Sequence, residues 1–183
     1  PDDLKQRYPN LRQLCLWGVD NVTSVPQLPE HLVALDIRNC PELTQLQSLP
    51  RTLDDVLLRD CPKLSDIAAF YPENLLSLAL QKCPSVPQEW IRQRLIHAPK
   101  LQRLDLSGCG QLLGLDVLPK TLLDLRLNDC NNLSALPEFW PERLRRLELR
   151  HVQKVRSLPD FPAASQPDFL DLRWSQGIAA LPA

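Results

Sequence analysis

The stretch Asn39–Leu64, "NCPELTQLQSLPRTLDDVLLRDCPKL", sets Cys40 and Cys61 twenty-one residues apart. Each cysteine is followed by Pro, a charged residue and Leu, and the same Leu and Leu-Pro spacing recurs between them. A thiol at the same point of a repeating unit can mean a metal site, a disulfide framework or a structural row. Which one holds depends on how far the repeat extends and on the geometry that it imposes.

Working outward, the unit reads Leu-x-x-Leu-x-Leu-x-x-Cys-x-x-Leu-x-x-Leu and starts at Leu11, Leu32, Leu53, Leu75, Leu101, Leu122, Leu144 and Phe169. Its apolar triplets run from Leu11-Leu14-Leu16 to Leu144-Leu147-Leu149, and the eighth is read as Phe169-Leu172-Trp174. Alternation within "LDIR" or "LDLS" makes each triplet a short strand with Leu on one side. One such strand cannot bury its apolar side alone, whereas stacked units can. The expected fold is therefore a leucine-rich-repeat solenoid, right-handed and curved, with a parallel β-sheet on the concave face. The whole chain, residues 1–183, forms a single domain of about eight units.

The returns to the next strand carry Leu-Pro punctuation, as in "VPQLPEHL", "LQSLPRTL" and "LDVLPKTL". Proline lacks a donor and disfavours helix in the residue before it, so most returns are expected to be extended or polyproline-like. One or two short helices are expected. "SVPQEWIRQRLIHAPKL" has Ser85 three residues before Gln88 and apolar Trp90, Ile91, Leu95 and Ile96. That pattern predicts a capped helix of about three turns on the convex side. The opening "DDLKQRYPNL" matches the back half of such a unit, and the chain stops mid-repeat at "AALPA". With no Met anywhere, the chain reads as a piece of a longer protein.

The net charge of -1 argues against nucleic acid or an anionic membrane surface as the partner, since both favour a basic protein. No apolar run approaches the roughly 18 residues of a membrane helix.

Five cysteines, Cys40, Cys61, Cys83, Cys109 and Cys130, occupy the ninth place of their units. Val19, Val152 and, in this register, Gly177 stand there in the others. Equivalent residues in a parallel stack lie about 4.8 Å apart and point the same way. Disulfides need facing Cβ atoms and zinc needs converging ligands, so a row of reduced, buried thiols is expected. Valine should be tolerated in that row, and serine should lack a partner for its hydroxyl. Reduced thiols in turn suit a reducing compartment.

These features together, "LxxLxLxxCxxLxxLPxLPxxL" and especially unit one, "LRQLCLWGVDNVTSVPQLPEHL", resemble the leucine-rich-repeat domains of LPxLP-type bacterial type III secreted effectors. The cysteine at the ladder place is also similar to repeats of plant disease-resistance receptors and F-box proteins. The resemblance covers nearly the whole chain. It implies a partner- or substrate-recognition module, with catalysis, such as ubiquitin ligation, in another domain, and a location in the host cytosol after secretion. A masking or autoinhibitory role toward a catalytic domain of the same polypeptide, and ligand sensing as in an immune-type receptor, are the alternative readings. The domain is expected to be a monomer that binds a protein, without cofactor or metal.

Catalysis within this chain is not expected. HExxH, CxxC and Walker motifs are missing. Cys15, the one tempting nucleophile, faces out of the sheet about 16 Å from the nearest stacked histidine, His31, too far to form a thiolate pair. Function is therefore sought in the third, fifth and seventh places, which line the concave face. The candidate binding residues are Trp17, Arg38, Leu57, Arg59, Gln81, Arg103, Asp105, Arg126, Arg146 and Glu148. Trp17, Arg38 and Arg59 share the seventh-place row, and Leu57 faces the same way on the strand of Arg59. Trp17 could alternatively be covered by a segment before the first repeat. In units five to eight the charges are expected to alternate in a checkerboard: Arg103, Asp124, Arg146 and Asp171 in the third places, and Asp105, Arg126, Glu148 and Arg173 in the fifth. That checkerboard is either a self-neutralising lattice or a polar recognition surface.

Overall fold

The computed structural model describes residues 4–68, 71–163 and 167–181. Asp2 and Asp3 of the opening segment and the final Pro182-Ala183 lie outside the described residues. After a short helix α1 (Leu4–Arg7), the chain forms β1 (Gln13–Trp17), β2 (Ser24–Val25), β3 (Ala34–Arg38), β4 (Gln45–Leu46), β5 (Asp55–Arg59), β6 (Asp66–Ile67) and β7 (Ser77–Gln81). Helix α2 (Gln88–Ile96) follows, then β8 (Arg103–Asp105), β9 (Asp124–Arg126), β10 (Arg146–Glu148) and β11 (Phe169–Asp171).

The main sheet has eight strands in the order β1-β3-β5-β7-β8-β9-β10-β11, all parallel, one strand per unit. Its inner side carries the leucine rows. Leu35, Ile37, Val56, Leu58, Leu78, Leu80, Leu104, Leu106, Leu125, Leu127, Leu147 and Leu149 are buried. The strand thus arises where alternation presents two leucines to one side, and stacking removes both from water. Truncating any of these leucines or Ile37 to Ala would cost about 2–5 kcal/mol.

The returns are extended, as the prolines dictate. They also form a second parallel sheet of three two-residue strands, β2-β4-β6, at the fourteenth and fifteenth places. Single bridges at the same height, Gly114 with Ala135 and Ser157 with Ala180, continue this pairing along the stack.

Two expectations are corrected. Helix α2 exists and buries Ile91 and Leu95, but it has no capping box: Pro87 is its N-cap residue, with no side-chain cap hydrogen bond. Ser85 Oγ instead donates to Pro62 O at 2.6 Å, and Gln88 Oε1 accepts from Leu113 N at 2.8 Å. Both side chains are used to tie neighbouring units together.

The eighth unit is shifted by two residues from the expected register. Phe169 pairs with Arg146, Leu170 with Leu147 and Asp171 with Glu148. The unit therefore begins at Pro167, Asp171 and Arg173 become fifth- and seventh-place residues, and Ser175 occupies the ladder place. Trp174, expected in the core, is 66% exposed. Gly177 lies two residues beyond the ladder, where a Cβ would collide with the Gln153 and Val155 carbonyl oxygens.

Candidate functional site

The ladder shows how each strand ends. Cys40, Cys61, Cys83, Cys109 and Cys130 are buried with free thiols, while Cys15 is exposed. Thiols donate back to the sixth-place carbonyl of the preceding rung: Cys109 to Leu80 O at 2.9 Å, Cys130 to Leu106 O at 3.2 Å, and Cys83 to Leu58 O at 3.6 Å. Burial pushes the Cys109 and Cys130 thiols up to about 12, which leaves them protonated and inert. Ser175 makes the same contact with Leu149 O, and its hydroxyl accepts from Val152 N at 3.0 Å. A hydroxyl in this row therefore does find partners, contrary to expectation.

Immediately before the ladder, every unit turns through a left-handed residue at its eighth place. The eight are Gly18, Asn39, Asp60, Lys82, Gly108, Asp129, His151 and Trp174. Gly, Asn and Asp tolerate that conformation, whereas Lys, His and Trp do so at a cost. The turn aims the eighth side chain along the rim of the concave face. There Trp174 stacks on His151, with ring centroids 6.1 Å apart and planes 13° from parallel.

On the concave face, the seventh-place residues Trp17, Arg38, Arg59 and Gln81 do lie on successive rungs. Trp17 is 59% exposed, and residues 4–10 leave it open. The Arg38 guanidinium sits 4.6 Å over its ring and is held from behind by Asp36 in two 2.7 Å hydrogen bonds. Leu57 is half-buried and Arg59 exposed, with its Nε 3.1 Å from Asp60. Gln81 Nε2 donates to Asp105 Oδ2 at 2.6 Å. Arg103 is exposed, and Arg146 lies with its guanidinium carbon 3.9 Å over the Phe169 ring.

Glu148 is a correction to the expectation that every fifth-place side chain is open. It is buried, accepting from Asn128 Nδ2 at 2.8 Å, Arg146 Nε at 2.7 Å and Arg150 Nη2 at 2.5 Å, with Arg126 Nε at 3.5 Å. Burial alone would raise its pKa. The hydrogen bonds from Asn128, Arg150 and Arg146 and the charge of Arg126 outweigh burial and hold the carboxyl at about 2. Asp171 is held at about 2 chiefly by its Arg173 hydrogen bonds, against burial. Ala79, also a fifth-place residue, is buried too.

The checkerboard runs only from unit five to unit seven, through Arg103, Asp124 and Arg146 and through Asp105, Arg126 and Glu148. The register shift then sets Asp171 beside Glu148, carboxylate against carboxylate. Arg150 bridges the two, 2.5 Å from Glu148 and 3.4 Å from Asp171. Sequence reasoning missed Asn128, Arg150 and His151, and it misplaced Arg173 and Trp174 through the two-residue register error. The eighth-place column gave no usable signal, because it holds Lys82, His151 and Trp174 as well as Gly, Asn and Asp and so does not fix the register of the last unit.

Among the described residues, no group of three or more His, Cys, Asp or Glu is placed to hold a metal ion. No helix among them is long and apolar enough to cross a membrane.

Compared with solved structures, the chain is similar to the leucine-rich repeat domain of the type III effector XopL. The two are 25% identical, the match covers 100% of this chain, and the TM-score is 0.59. The chain folds as a leucine-rich-repeat solenoid. It spans 59% of the length of the XopL chain. No protein-family model matches it, and no curated protein is found as a relative. In this solenoid Cys109 and Cys130 place thiols where a backbone donor would otherwise stand, and the concave strands present a fixed set of side chains.

Proposed function

We propose that this chain is the partner-recognition domain of a type III effector and holds another protein against its concave face. A catalytic domain elsewhere in the polypeptide, such as a ubiquitin ligase, would act on what this face selects. The observation that carries the reading is Trp17: a large exposed ring on the binding side of the sheet, covered on one face by an arginine that Asp36 holds in place. Such a pair loses little freedom on docking, and Trp and Arg dominate binding hot spots. Arg59 and Leu57 extend the patch on the next rung. The effector assignment rests on similarity to the XopL repeat domain and on returns punctuated by Leu-Pro, as in "VPQLPEHL".

The test is capture of host-cell protein by the immobilised domain, followed by affinity measurement with the captured protein once purified. Trp17→Ala should weaken that affinity by about 2 kcal/mol or more, with the melting temperature unchanged because the ring is open to solvent. Arg38→Glu with Arg59→Glu should weaken it as well. Retention of full affinity by both variants overturns the reading. Capture of nothing but the rest of its own polypeptide would favour a masking role.

A further inference from the structure

Charge on the concave face is sorted by row. The fifth places hold Asp36, Asp105, Glu148 and Asp171 against one base, Arg126, whereas the seventh places hold Arg38, Arg59, Arg150 and Arg173 and no acid. The two rows also differ in depth. The Glu148 and Asp171 side chains are 2% and 4% exposed, against 37% for Arg150 and 66% for Arg173. The carboxylates lie beneath and the guanidinium groups lie on top, so a nearly balanced set of charges presents a basic stripe. From unit three to unit eight this stripe borders a cleft of about 420 Å³, whose lining includes Arg59, Lys82, Arg126, Arg150, Arg173 and the exposed Trp174.

We propose that this cleft holds an acidic, extended segment of a partner protein, its carboxylates meeting Arg150, Arg173 and Lys82 and an apolar side chain resting on Trp174. The inference rests on the reading that the concave face binds a protein, and it names the chemistry of one part of that face. Two features favour this ligand. Glu148 and Asp171 already fix the guanidinium groups, so charge-assisted hydrogen bonds form at little entropic cost. Asp105 and Asp129 also line the cleft, which suits spaced carboxylates and repels the continuous phosphates of a nucleic acid.

The probe is a short fluorescent peptide of Glu and Gly, followed by anisotropy, with a Lys-Gly peptide and an oligothymidylate as comparisons. The Glu-Gly peptide should bind best, and its affinity should fall as salt rises. Arg173→Gln and Lys82→Gln should each weaken it about tenfold. Lys120→Gln, at an exposed lysine that does not line the cleft, should leave it unchanged. The Arg173 and Lys82 side chains are well exposed, and unchanged melting would show that the fold survives. Failure of the Glu-Gly peptide to bind better than the Lys-Gly peptide, or equal binding by the Arg173 and Lys82 variants and the parent, overturns the inference. Equal or tighter binding of oligothymidylate overturns it in favour of a general polyanion site. If the Trp17 variant loses its natural partner while no acidic peptide binds, only this inference falls.

Discussion

Units one to four and units five to eight follow one repeat but end their strands differently. The early strands are five residues long, and their pairing runs through the seventh place, Trp17 to Arg38 to Arg59 to Gln81. The late strands are three residues long and stop at the fifth place. In the late units side chains take the seventh-place N–H: Asp105 accepts from Ser107 at 3.0 Å, Asn128 from Arg150 at 2.9 Å and Asp171 from Arg173 at 3.1 Å. This is the familiar competition of short polar side chains with a ladder. The freed sixth-place carbonyls are then met closely by Cys109, Cys130 and Ser175, whereas Cys40 stands 3.8 Å from Leu16 O. One half is thus an ordinary sheet with an aromatic-arginine patch. The other exchanges main-chain pairing for a polar network, and the cleft lies over that network.

The largest way to break this contrast is Glu148→Gln, which removes the charge beneath three arginines. The loss at neutral pH should be about 3 kcal/mol, following from a shift of the carboxyl from 4.5 to about 2. The sign follows from that depression: the stabilisation is fully present above about pH 4.5 and disappears as pH falls through about 2. Urea unfolding across that window should show the parent approaching the variant toward the acid end. A constant gap would mean that Glu148 acts by packing alone. Gly177→Val should cost a comparable amount, about 3 kcal/mol, because its Cβ meets two carbonyl oxygens. Were Gly177 a ladder residue, valine would be accepted as it is at Val152, so the same unfolding measurement also tests the register.

Arg126→Glu sharpens the comparison more gently. It sets like charges against Asp124, Asp105 and Glu148, and the loss should be about 2 kcal/mol at low salt, shrinking as salt rises. Salt-independent destabilisation would point to packing of the guanidinium instead. The smallest effect belongs to Cys109→Ser, expected below about 1 kcal/mol because the hydroxyl inherits the Leu80 carbonyl, as Ser175 shows for Leu149. A loss well above that would mean that sulfur volume, not the donor, holds the ladder.

Leucine spacing determined the solenoid, the parallel sheet and the buried cysteine row, and the prolines determined the extended returns. Each follows from period and burial, which are properties of a single unit that every other unit repeats. The concave placement of Trp17, Arg38 and Arg59 was legible for the same reason. Only the tertiary structure decided the eighth unit, where Phe169, Leu170, Leu172 and Trp174 offered two apolar registers and pairing with Arg146, Leu147 and Glu148 selected one. It also decided that Ser85 and Gln88 bond to neighbouring units, that Glu148 is buried while its arginines are only half-buried, and that Arg150 joins two carboxylates. Those outcomes depend on what the adjacent rung presents, and a strand pattern carries no information about depth or about the partner across the ladder.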